Sequence, residues 1–464
     1  MKLKKLPYLL LFIMSIFLFS CESEDETSQE VTNNDLPEVI EIDSDGDKLI
    51  EIYFIEQLNA IRYDLNADGI TDDPNNRELF LEAFPTINDP NNTTTTGNYQ
   101  GFELKRNLDF KDPNSYMSGV VNTNYTSGEG WKAMGSTVRG AYVLFTSEFN
   151  GNSFTIANLF GEGLFSITGR YTTFKNIGLL NVDVTYGGAL SAGTEYSIRI
   201  SNCYVDGGIV RGAGGLVGSI STDMNGKSVI ENCYTTCDVI SSGRAGGLVG
   251  LCTGDVINCY TTGDVTSTSD GQRQFHLAGG IVALLLSTSG HTNNYSTTTT
   301  ISNSFSSGNV TGKVAGGIAG EVSDQSSILN SYTSGDVNGL ATNLSESETG
   351  TIAGYMEGTD STYLPDNSIT NCYSIGMNLN NLYSESVFVG KWRGIPAVKI
   401  KSYYNTETSD TIVNSGNDVG VSTSNLQNPT SATGLFSNWS SAWDFGTSSD
   451  YPGLTINGEV FRPQ

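Results

Sequence analysis

One phrase returns six times along the chain with small changes. It reads ISNCYVDGG from Ile200, IENCYTTCDV from Ile230, VINCYTTGDV from Val256, ISNSFSSGNV from Ile301, ILNSYTSGDV from Ile328 and ITNCYSIG from Ile369. A second phrase, close to AGGLVG, alternates with it at Gly214–Gly218, Gly246–Gly250, Gly279–Ala283, Gly316–Gly320 and Gly350–Gly354. The aromatic of the first phrase recurs at intervals of 30, 26, 45, 27 and 41 residues, and the glycine pair at 32, 33, 37 and 34. A period near 30 with length variation in polar gaps is the mark of a solenoid that tolerates loops on its surface. A catalytic site needs each of its groups once, so the repeated residues serve architecture first.

Residue types choose the solenoid. Helical repeats need a 3.6-residue apolar stripe, and these segments are short, β-branched and bounded by Gly, Asn, Asp and Ser, which reads as strands. A rung of about 30 residues stacked on the next at about 4.8 Å makes a parallel β-helix. The expected class is therefore all-β, a right-handed parallel β-helix with a small N-terminal α/loop cap and a C-terminal cap. Ile at the first motif position stacks into an aliphatic core ladder, Asn at the third suits a corner where amides bond above and below, and Gly supplies positive φ or close approach at bends.

Cys203, Cys233, Cys259 and Cys372 share one motif position with Ser304 and Ser331. A position that accepts Cys or Ser asks for a small side chain, and free buried thiols are expected there; Cys237 and Cys252 remain open as a pair. Two readings of the next position stand. If Cys/Ser faces inward, strand alternation turns Tyr234, Tyr260, Phe305 and Tyr332 outward as an aromatic column suited to stacking on a sugar or a protein partner. If the rings face inward, they are core.

AGGLVG alternating with NCYTTGDV resembles the GLUG-motif repeats of bacterial surface proteins, which implies a β-helix and an adhesive or binding role. GWKAMG at 130–135, FTSEFNGNSFTIANLF at 145–160 and GEGLFS at 161–166 resemble that family's first rungs. DSDGDKLIEIYFIEQLNAIRYDLNADG resembles its N-terminal cap, and WDFGTSSDYPGL its closing strand. The likeness spans about 43–464, with 269–300 departing from the motif as a longer loop. The expected parts are a leader (1–20), an acidic tether (21–40), an N-terminal cap (41–100), the β-helix (101–400) and a C-terminal capping segment (401–464).

MKLKKLPYLLLFIMSIFLFSC begins with a basic region and a short apolar run, and LFSC resembles a lipobox. That resemblance implies cleavage before Cys21 and its acylation, anchoring the chain to the outer membrane at the cell surface; an ordinary secretory leader is the alternative. ESEDETSQE resembles a surface-export tether. Loss of 1–20 leaves 21 basic against 50 acidic residues, a net charge of −29, which disfavours nucleic acid and attracts cations.

DLNADGITDD sets Asp64, Asn66 and Asp68 at alternate positions, then Gly69, Asp72 and Asp73, which is a calcium-loop spacing without the closing Glu. DSDGDKLIE offers Asp43, Asp45, Asp47 and Glu51. Structural calcium locking the cap is the expected cofactor, against plain acidic turns. Between the loops, LIEIYFIEQLNAIRYDL reads as a short helix. His276 and His291, the only histidines, lie in no HExxH frame, and no G-x-S-x-G elbow is present. Asp238, Asp264 and Asp336 recur once per rung and read as turn residues. The functional expectation is a surface binding scaffold for a glycan or protein; a polysaccharide lyase or hydrolase and a structural stalk are the alternatives.

Overall fold

A computed structural model describes residues 42–69, 77–84, 99–138, 141–223, 226–268, 276–287, 298–340, 347–357, 367–379, 386–393, 398–400, 402–408, 418–428 and 435–463. They form a parallel β-helix. Its first face is an eleven-stranded parallel sheet running from Leu49–Ile52 to Val398–Ile400. Register stacks Ile50, Phe102, Phe149, Phe174, Ile200, Ile230, Val256, Ile301, Ile328 and Ile369 in one column. All ten are fully buried. The expected aliphatic ladder is present from Ile200 onward, and phenylalanines fill it in the earlier rungs, with Phe145 and Phe165 packed 4.5 Å apart beside them.

The second face opens with Leu108–Asp109 and the two short strands Thr155–Ala157 and Phe160–Gly161, runs as one continuous strand per rung in Gly178–Val184 and Tyr204–Val210, then divides again into two short strands, as in Tyr234–Thr235 and Asp238–Ser241. The third is an eight-stranded sheet from Phe165–Thr168 to Val389–Arg393. Four short strands, Ala245–Gly246, Leu277–Gly279, Val314–Gly316 and Glu348–Gly350, stack just ahead of it.

The corner between the first two faces explains the Asn-Cys unit. Asn202, Asn232, Asn258, Asn303, Asn330 and Asn371 all have φ between 47° and 54°, the left-handed region that Asn tolerates better than other side chains. Their amides bond along the stack, Asn202 Nδ2 to Asn176 Oδ1 at 3.0 Å and Asn258 Nδ2 to Asn232 Oδ1 at 3.2 Å. The next residue turns inward and reaches back two positions. Cys233 and Cys259 Sγ donate to the carbonyls of Glu231 and Ile257 at 3.2 Å, and Ser304 and Ser331 Oγ do the same to Ser302 and Leu329 at 2.9 and 2.7 Å. The same atoms accept a backbone N–H from the rung before, Cys259 N to Ser304 Oγ at 3.1 Å and Ser304 N to Ser331 Oγ at 3.1 Å. Cys and Ser interchange because the position needs a small group that both donates and accepts. All six described cysteines are buried and free, so Cys237 and Cys252 are unpaired with each other. Burial pushes the Cys252 and Cys237 thiols up to about 12.

The glycine pairs act by space alone. A Cβ on Gly246 would lie 1.9 Å from the Val249 carbonyl oxygen, and one on Gly247 would lie 2.0 Å from that of Gly280 in the next rung. Neither has positive φ. Of the two roles expected for glycine the pair takes the second: Asn supplies the left-handed corner, and the glycine pair supplies close backbone approach.

At the N-terminus only part of the expected helix coils. Leu49–Ile52 pairs in parallel with Gly101–Leu104 and is itself the first rung. The coil is confined to the helix Ile55–Ala60 and a 3₁₀ turn at Ile61–Tyr63, with a second helix, Arg77–Ala83, beside them. Gln57 Oε1 accepts the Tyr53 and Phe54 amides at 2.7 and 3.2 Å, so the chain stops being a strand there. At the other end, Ser402–Asn405 stacks on Tyr373–Ser374 and Asp418–Val421 on Ser402–Asn405. The rungs therefore extend past both expected boundaries, 100 and 400. Beyond them, Trp443–Asp444, Gly453–Ile456 and Glu459–Phe461 form a small antiparallel sheet.

Candidate functional sites

Because the Cys/Ser side chains point inward, the adjacent aromatics point out of the solenoid, as alternation requires. Tyr204, Tyr234, Tyr260, Phe305, Tyr332 and Tyr373 stack with centroids 4.6–5.1 Å apart and ring planes within 6° of parallel. Yet Phe305, Tyr332 and Tyr373 are fully buried and Tyr260 is 3% exposed. The C-terminal segment runs back over the column and makes a second hydrophobic core with it, through Leu426, Leu435, Phe436, Trp439, Trp443, Leu454 and Ile456. Trp439 stacks on Tyr373 at 5.7 Å, Trp443 packs on Tyr332 at 5.5 Å, and Phe461 on Tyr260 at 4.8 Å. Two hydrogen bonds fix the cover: Tyr332 Oη donates to the Pro452 carbonyl at 2.7 Å and Trp439 Nε1 to the Asn371 carbonyl at 3.1 Å.

The expected ligand-binding role of Tyr260, Phe305 and Tyr332 is therefore corrected. Their ring faces are used by neighbouring rungs and their edges by the C-terminal segment. Tyr234 is half-buried near the open end of the column, with Phe461 5.4 Å from it. Burial raises the Tyr234, Tyr260, Tyr332 and Tyr373 hydroxyls above the ordinary tyrosine range.

The repeated acids have equally local roles. Asp238 Oδ1 accepts the Asp264 amide at 3.0 Å, Asp264 that of Asn309 at 2.8 Å, Asn309 that of Asp336 at 3.1 Å, and Asp336 that of Met377 at 2.8 Å. Each carboxylate or amide closes the turn of the following rung.

Two acidic loops flank the N-terminal cap. In the first, carboxylate oxygens of Asp43, Asp45 and Asp47 lie within 4.8 Å of one another, a donor set that suits a hard divalent cation. Asp43 also accepts the Gly46 and Lys48 amides at 2.8 and 3.1 Å. Asp45, Glu51 and Glu103 form a second convergent group, but Lys105 Nζ already sits in it, at 2.8, 3.2 and 2.9 Å from the three carboxylates. Glu51 is fully buried and further held by Tyr53 Oη at 2.9 Å. Burial opposes the Glu51 charge, but Ser44, Tyr53 and Lys105 outweigh it and leave the carboxyl below its usual range. Burial dominates at Glu103, whose carboxyl is raised. Sequence spacing pointed to Asp45 and Glu51 but held no signal for Lys105, which arrives from 60 residues away.

In the second loop, Asp64 is fully buried and accepts the Asp68 and Gly69 amides at 3.1 and 2.9 Å, while Asn66 Nδ2 donates to Asp68 Oδ2 at 3.2 Å. Asp72 and Asp73 lie outside the described residues, as do Cys21, the tether and His291. His276 is half-buried, immediately before the strand Leu277–Gly279. Among the described residues no helix is long and apolar enough to cross a membrane.

No family model matches the chain, and no curated protein does. Among solved structures it is similar to a crystal structure from Bacteroides ovatus, provisionally named an immunoglobulin A1 protease. The two share 21% identity over 77% of this chain and 86% of that one, with a TM-score of 0.38.

Proposed function

We propose that this chain is a lipid-anchored surface scaffold that binds a glycan or protein partner, as its resemblance to GLUG-motif repeats implies. One observation carries the reading: the residues that recur along the rungs are used by the rungs themselves. The Asn amides and the Asp238–Asp264–Asp336 series bond to the neighbouring rung, and the Cys and Ser side chains donate within their own rung while Ser304 and Ser331 accept an amide from the rung before. Such a repeat builds length and rigidity. Eleven stacked strands give a rod of roughly 50 Å at the usual interstrand spacing. On a Cys21 anchor, such a rod presents irregular surface features to the surroundings. Calcium belongs to the same reading as a structural ion. Asp43, Asp45 and Asp47 would hold it in one loop and Asp64, Asn66 and Asp68 in the other, and it would stiffen the cap against the first rung.

The test is binding of the purified chain to a broad array of glycans and matrix proteins, with calcium and with chelator. Saturable binding without breakdown of the bound glycan is the expected result, weakened by chelation. Release of shortened sugars from any probe would replace the scaffold with an enzyme, and silence across the array would leave a structural stalk.

A further inference from the structure

The end strand of a stacked sheet turns a row of backbone amides towards whatever lies beyond it, and so invites a further strand. Leu49–Ile52 is the terminal strand of the eleven-stranded face. The Gln100 and Lys105 amides of the second rung donate to the carbonyls of Lys48 and Ile52, at 2.9 and 3.0 Å. Alternation along the strand therefore turns the amides of Leu49, Glu51 and Tyr53 the other way, towards the end of the rod.

All three are taken, each by a different group. Leu49 N–H donates to Asp47 Oδ1 at 2.8 Å, Glu51 N–H to the Ile42 carbonyl at 2.9 Å and Tyr53 N–H to Gln57 Oε1 at 2.7 Å. The second face repeats the device on its first strand, Leu108–Asp109. Phe110 N–H donates to the Ala157 carbonyl of the next rung, and Asp109 N–H, which faces away from that rung, donates to Ser115 Oγ at 2.8 Å.

The acidic loop holds the first of these closures in place. Lys105 Nζ bonds to Asp45 at 2.8 Å, and Ser44 N–H donates to Glu51 Oε1 at 2.9 Å, so the loop lies along the edge. Leu49, Ile50, Glu51 and Ile52 are all buried, although among the described residues they pair with a strand on one side only.

We infer that this end of the rod is a built stop: Asp47, Gln57 and Ser115, with the Ile42 carbonyl, close the first rung against the same edge of a second copy of the chain. Two open edges of this kind would pair strand to strand about a two-fold axis, an isologous contact. A strand arriving here finds the outward amides already engaged and forfeits half of its ladder. The inference concerns how copies meet and does not depend on what the rod binds. It gives the acidic loop a role that needs no cation.

The test compares the purified chain with the double variant Asp47→Ala, Gln57→Met, which removes both side-chain acceptors and keeps most of the volume of the buried Gln57. Sedimentation velocity in one detergent should give a single mass for the wild type at every concentration. For the double variant the mass should rise towards twice that value as concentration increases. Asp47→Asn keeps an acceptor oxygen and loses the charge, and should behave as the wild type. A folded double variant of unchanged mass would overturn the stop. Association of Asp47→Asn to the same extent would also overturn it, by assigning the effect to charge. Hydrogen exchange tests the same claim in the wild type alone: the Leu49, Glu51 and Tyr53 amides should exchange as slowly as that of Ile50. Exchange of the three at the rate of an open edge would overturn the inference whatever the variants do.

Discussion

Two columns of side chains run along this rod, one inside and one outside, and both are dry. The inner column, Ile200 to Ile369, is closed by each rung in turn, from residues a few positions away. The outer column, Tyr260 to Tyr373, is closed by residues 426–461, far along the chain and folded back across several rungs. The difference teaches that a residue facing out of a solenoid is not thereby at the surface. Its burial depends on whether another segment has been recruited to cover it, and that dependence makes the outer column the more vulnerable of the two.

The sharpest break should come from the cover. Trp439→Ala or Trp443→Ala removes a large buried ring and is expected to cost about 3–5 kcal/mol. Denaturant unfolding followed by near-ultraviolet tyrosine and tryptophan signals, which report the outer core, and by far-ultraviolet circular dichroism, which reports the parallel sheets, should show the outer core lost ahead of the inner one. Equal, simultaneous loss would mean the two cores are one cooperative unit.

Alkali acts on the same contrast. The buried hydroxyls of Tyr260, Tyr332 and Tyr373 are raised above the ordinary value of 10.0, so the folded protein holds its protons when the unfolded chain has released them. Their contribution is complete below pH 10 and declines above it, by about 1.4 kcal/mol per pH unit for each tyrosine kept protonated. The last part of the tyrosinate absorbance, from these buried residues, should appear together with unfolding; their ionisation in a still-folded protein would contradict the burial.

The Asn corner serves both columns, since it sets one side chain in and the next out. Asn258→Ala should cost about 1–2 kcal/mol by placing an ordinary side chain at φ of 54°, while Asn258→Gly should cost less. Equal losses would assign the stability to the amide ladder instead. The smallest effect is expected at Cys259→Ser, under about 1.5 kcal/mol, because Ser304 and Ser331 already make the same two hydrogen bonds in other rungs. A large loss there would show that the thiol does more than fill and bond.

Much of this was legible in the repeat. The parallel stack, the aliphatic ladder, the Asn corner and the turn role of Asp264 all follow from asking what a position needs when its equivalents lie directly above and below. The direction of the aromatics stayed open, because the bend at Asn lets either the Cys/Ser position or the ring face inward. What the repeat could not show is anything made by segments outside it. The cover on Phe305 and Tyr332 comes from non-repeating sequence around Trp439, and Lys105 enters the Asp45–Glu51–Glu103 group from the second rung. The glycine role stayed open between two alternatives because close approach and positive φ look the same in a sequence.

The central claim, that the outward aromatic column is core, is tested most directly by chemical modification of tyrosines in the native protein, read by mass spectrometry. Tyr171 and Tyr186, 85% and 68% exposed, should react quickly, and Tyr332 and Tyr373 should stay unmodified until the protein unfolds. Modification of Tyr332 at the rate of Tyr171 would contradict the account and return the column to the surface.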